Sequence, residues 1–127
     1  MTVLEFFTYL LLALHFIGLA AIIGGFLVQV RRKTDFNFDP MLGGAITQVL
    51  SGIALAALVN ATDHDLVPGK IAVKLIVALV VLAAAIIAIV VQRRARAAGD
   101  TDRAALPWLH IMGAGAILNV LIAVFWH

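Results

Sequence analysis

No cysteine occurs in this 127-residue chain. Disulfides, thiolate metal sites, a lipoprotein anchor and cysteine nucleophiles are thereby excluded, and the redox compartment of the loops stays unread. Charge is almost as scarce, since Asp, Glu, Lys and Arg make up 13% of the residues against 64% hydrophobic ones. So few charges cannot cover a water-soluble surface. They are also gathered into short stretches between long apolar runs, the pattern of a multi-pass membrane protein. The net charge of +2 follows that topology, so no nucleic-acid partner is inferred. Phosphate-binding glycine loops, metalloprotease helices and serine-elbow motifs are all missing, which leaves catalysis without a sequence signature.

What the chain does have is apolar length. A hydrocarbon core about 30 Å thick takes about 20 residues of helix, because unpaired backbone groups are too costly in lipid. Four stretches meet that demand: 6–30, 41–61, 71–91 and 107–126. The first lacks Lys or Arg ahead of it and is too long for a cleaved signal, so it is expected to persist as a helix. Asp39-Pro40 reads as an N-cap and first-turn pair, Pro68-Gly69 breaks the chain ahead of helix three, and Gly99 can close an extension of that helix. No internal repeat stands out, and the short connections leave no room for a soluble domain. The expected fold is therefore all-α, a four-helix membrane bundle forming a single transmembrane domain over 1–127.

Orientation follows the basic residues. Arg31, Arg32 and Lys33 lie in loop one and Arg93, Arg94, Arg96 and Arg103 in loop three, against Lys70 and Lys74 near loop two. Loops one and three are expected to be cytoplasmic, with both termini outside a plasma membrane. The run Gln92-Arg93-Arg94-Ala95-Arg96 could attract anionic lipid, although the same residues are the topology signal itself. Lys74, placed in the first turn of helix three, could reach the outer surface toward Glu5 or Asp65.

The polar residues inside the spans fall into stripes. On helix one, Thr8, Leu11, His15, Gly18, Ile22, Gly25 and Gln29 share one face. Ala21 with Gly25, and Ala20 with Gly24, are small pairs four apart that let a neighbouring backbone come close. Gly44, Gln48 and Ser51 mark helix two, and Gly115 with Asn119 mark helix four. Gly18, Ala21, Gly24, Gly25, Ser51, Gly115 and Asn119 are accordingly expected at helix contacts. From the rise per residue, His15, Ser51 and Asn119 all reach a level about 14 to 18 Å into the membrane. A neutral His15 bonded to Ser51 or Asn119 is one reading, and a ligand to haem is the other. His110 lies near the opposite boundary, too far along the axis to join His15 in a bis-histidine site. Outside, Glu5, Asp63, His64, Asp65 and His127 are residue types that suit copper or zinc, though Asp-His-Asp in a solvated loop has no metal-site periodicity.

The text Leu14-His15-Phe16-Ile17-Gly18 followed by Gly24-Gly25, with Val73-Lys74-Leu75-Ile76-Val77 and Gln92-Arg93-Arg94, resembles the copper-resistance D-like superfamily of small membrane bundles, which includes protoporphyrinogen oxidases. That resemblance covers helices one and three. It implies a haem b or porphyrin cofactor, with His15 as haem ligand and Lys74 near a propionate or the porphyrin. The alanine- and valine-rich composition is also similar to accessory subunits of actinobacterial respiratory supercomplexes. Taken together, the sequence reads first as a non-catalytic accessory or scaffold subunit, packed in the bilayer against other membrane subunits or copies of itself. Haem or porphyrin handling through His15 stands second, and copper or zinc handling at Asp63, His64, Asp65 and His127 third.

Overall fold

The computed structural model describes residues 2–62 and 68–126, and every described element is helical. Helix α1 spans Val3–Gln29, α2 Asp39–Thr62, α3 Pro68–Ala97 and α4 Leu106–Phe125, with a 3-10 turn at Asp102–Ala105 ahead of α4. All four helices are long and apolar enough to cross a membrane. The observed boundaries extend most of the expected spans. At 30 residues, α3 is about 45 Å long, so its Arg-rich end projects beyond the hydrocarbon.

Local chemistry explains the ends. Thr2 and Glu5 form a capping box at the head of α1: the Glu5 amide donates to Thr2 Oγ1 at 3.1 Å, and the Thr2 amide donates to Glu5 at 3.3 Å. Asp39 is not the N-cap expected from the Asp-Pro pair. The helix already includes it, and its amide donates to Asn37 Oδ1 at 3.3 Å. Gly99 does close α3, at φ +78, with the Gly99 amide bonded to the Arg96 carbonyl and the Asp100 amide to that of Ala95. That pair of bonds is a Schellman stop, and the positive φ favours glycine.

Packing is arranged for lipid rather than water. Large side chains such as Phe16, Ile17, Leu27, Val28, Leu50, Ile76 and Phe125 face outward, while Ala45, Ala84, Ala85, Ala88 and Ala116 are buried with Gln29, Gln48, Ser51, Gln92, Asp102 and Asn119. Outside, lipid is as apolar as leucine, so small and polar groups are what hold helices together. The neighbours are α1–α2, α2–α3, α3–α4 and α4–α1, which sets α2 and α4 on one diagonal.

The tightest crossing joins α1 to α2. A Cβ built on Gly18 would stand 2.9 Å from the Gly44 carbonyl oxygen, and one on Gly44 only 2.6 Å from that of Gly18. Gly25 lies under Met41, Gly115 against Val81, Ala21 beside Gly44, and Gly113 provides the seat for the Phe26 ring. Gly24 departs from its expected contact role. It faces away from the bundle, and a Cβ there would meet nothing within 4 Å.

At the end bearing the basic loops, buried polar groups bind the connections. Asp102, 2% exposed, accepts from the amides of Asp35 at 2.6 Å and Phe36 at 2.9 Å, and from Gln92 Nε2 at 2.8 Å. Arg96 adds an ion pair at 3.4 Å. Gln92 also donates to the Phe36 carbonyl, while Gln29 exchanges bonds with the Asn37 backbone in both directions. Phe36 and Phe38, the apolar side chains of that loop, are themselves buried.

Candidate ligand cavity at His15

The end bearing the termini is built differently. Between the helices lies a cavity of about 230 Å3, walled by α1 through Leu12 and His15, by α2 around Gly52, by α3 through Lys74, and by Asn119 of α4. His15 comes inward because it lies on the same face as Gly18 and Ile22, both buried. Gly52 lies against its ring, where a Cβ would stand 3.4 Å from His15 Cε1.

The hydrogen bonds of that ring fix its tautomer. Ser51 Oγ lies 2.9 Å from His15 Nδ1 and 2.6 Å from the Thr47 carbonyl oxygen. A carbonyl can only accept, so the single hydroxyl proton goes to Thr47 and Ser51 accepts from Nδ1–H. The neutral ring then carries its lone pair on Nε2. A histidine whose Nδ1 is held by an oxygen acceptor while Nε2 keeps its pair is prepared to coordinate a metal or accept a proton.

Of the three groups expected at one level, His15 and Ser51 meet directly, whereas Asn119 lines the same cavity and donates from Nδ2 to the Lys74 carbonyl at 3.2 Å. Lys74 is not in the first turn, as the sequence suggested. Because α3 starts at Pro68, Lys74 lies about 9 Å into the helix, where it is half-buried and lines the cavity. His110 is exposed and stacks edge-on against Phe26, with ring centroids 5.6 Å apart. It is no member of the cavity wall. Glu5 is engaged in its capping box. Asp63, His64, Asp65 and His127, the proposed outer metal ligands, lie outside the described residues. Among the described residues no group of three or more His, Asp or Glu could hold a metal ion.

Sequence reasoning missed Asp102 and the inward burial of Gln92, which it counted with the basic run. It had no means of finding the cavity itself, whose wall combines four helices. Comparison with protein-family models, with curated proteins and with solved structures returns no match.

Proposed function

We propose that this chain is a multi-pass membrane protein that holds a tetrapyrrole, haem or its porphyrin, at His15. The observation that supports this reading most is the Nε2 lone pair of a Ser51-anchored histidine on the wall of an intramembrane cavity. Haem needs an axial nitrogen, and His15 offers one; among the described residues no second histidine lines the wall. At about 230 Å3 the cavity is smaller than the roughly 300 to 1,000 Å3 that encloses a drug-sized ligand, so the site suits one edge of a macrocycle with lipid over the rest. Lys74 supplies a cation for a propionate, and the resemblance to the copper-resistance D-like superfamily points to the same two residues. Haem, when bound, supplies an iron centre for one-electron or oxygen chemistry. The protein's part is to present Nε2, hold the ring's tautomer and orientation through Ser51 and exclude water from the cavity.

Titration of the purified protein with haemin in nanodiscs tests this. A shifted Soret band saturating at one haem per chain is expected, and His15→Gln should abolish it without unfolding the bundle. A His15→Gln titration identical to that of the parent would overturn the assignment.

A second reading, an accessory subunit of a larger, possibly respiratory, membrane complex, is favoured by the outward face of α1. Ala20 and Gly24 are exposed there, and neither Gly24 nor Gly43 has a neighbour within 4 Å of a built Cβ. Subunits that co-purify with the parent but not with Gly24→Leu would support it. For either reading the proposed orientation puts loops one and three in the cytoplasm of a plasma-membrane protein. As the chain has no cysteine, Arg32→Cys and His64→Cys each create a unique thiol. An impermeant reagent added to intact cells should label the second and not the first.

A further inference from the structure

Two side-chain oxygens deep in the bundle, Gln48 Oε1 and Asn119 Oδ1, accept no hydrogen bond from any described residue. Their residues are 5% and 7% exposed. Both border a void of about 10 Å3 whose wall takes two residues from each of the four helices, with Gln48 and Asn119 as its two polar members. The void therefore lies on the axis of the bundle, where lipid cannot reach these groups.

A buried acceptor without a donor is costly in such surroundings. Rotating the Asn119 amide would not relieve it, because Nδ2 already donates to the Lys74 carbonyl and an oxygen in its place would face another acceptor. Nor can the two oxygens satisfy each other. Both are acceptors, and they come from α2 and α4, the diagonal pair of helices, so a single group with two protons on the axis would serve both. A void of about 10 Å3 is at the lower edge of what one water occupies. A cation is a poorer match, since two neutral amide oxygens leave most of its coordination sphere and all of its charge uncompensated in a low-dielectric core.

We infer that one water molecule sits on the bundle axis and donates to both Gln48 Oε1 and Asn119 Oδ1, bridging α2 to α4. Asn119 also lines the ligand cavity, and Gln48 stands three residues before Ser51 on α2. The water thus braces the cavity from behind, coupling the helix that anchors His15 to the helix that binds the Lys74 backbone. This inference stands whether or not a tetrapyrrole is the ligand.

Water-edited solid-state NMR on the full chain in bilayers reads the site directly. Polarisation from water should reach the side-chain amides of Gln48 and Asn119 faster than the backbone amides of Ala45 and Ala116, which border the same void. Equal build-up at all four would show a dry void and overturn the inference. Unfolding equilibria give an independent reading. Gln48→Leu and Asn119→Leu should each lower the folding constant about 3- to 20-fold, with the double variant no worse than the weaker single, because a shared water is lost only once. Losses that simply multiply would overturn the bridge. A folding constant that rises when sodium replaces choline in the buffer would assign the void to a cation instead.

Discussion

The two ends of this bundle are built on opposite principles. At the basic end, loop one is bound to α1, α3 and the 3-10 turn by Gln29, Gln92 and Asp102, over sealed Phe36, Phe38 and Met41. At the other end a cavity opens among half-buried His15 and Lys74. The first arrangement satisfies its buried polar groups from within the chain. The second leaves His15 beside an incompletely filled cavity. In a chain this short, satisfied polar burial and incomplete packing are thus separated along the bundle axis.

Breaking the closed end should have the largest effect. Asp102→Leu removes the shared acceptor of two backbone amides and the Gln92 amide, leaving the buried Phe36 amide without its acceptor. The expected loss is about 3 kcal/mol or more, measurable by unfolding in mixed detergent micelles. A loss below about 0.5 kcal/mol would mean that the closed end does not carry the fold.

Next comes the crossing that joins both ends. Gly44→Ala sets a methyl against the Gly18 backbone, which cannot rotate aside, so α1 and α2 must separate. About 1 to 3 kcal/mol of destabilisation is expected in the same assay. Coupled loss of tetrapyrrole binding would sharpen the comparison, since α1 and α2 carry His15 and Ser51.

Ser51→Ala should act on the open end alone. It frees the His15 ring without removing Nε2, so the bundle should stay folded while haem affinity falls about 10- to 100-fold, read from the Soret titration. An unchanged affinity would show that the ring needs no anchor. The smallest effect belongs to Gly24→Leu. With nothing within 4 Å, it should change stability by less than about 0.5 kcal/mol, in contrast to Gly44→Ala at the tight crossing.

Much of this architecture was written locally. Four spans, their order, the Gly99 stop and the inward stripe through His15, Gly18 and Ile22 could all be read from the sequence, because in lipid each helix must satisfy its own backbone and so announces itself by length and hydropathy alone. Periodicity then selects the face. The pairing of His15 with Ser51 was also within reach, since the rise per residue fixes depth.

Tertiary structure decided the remainder. Asp102 looked like one more loop carboxylate, yet its partners Asp35 and Phe36 lie 67 and 66 residues away, and only the docking of loop one over α3 buries it. Gln92 was read with the arginines that follow it, and its inward aim depends on where α3 ends relative to that loop. Lys74 falls in the second turn of α3, on the cavity wall, because α3 begins earlier than hydropathy suggests. The void between Gln48 and Asn119 requires four helices to meet at one level, and Gly24 points outward because Gly18 and Gly25 take the inward places. Sequence specifies what a helix must bury from its own length and periodicity; which side chains share that burial is a property of the interfaces, where distant residues compete for one space.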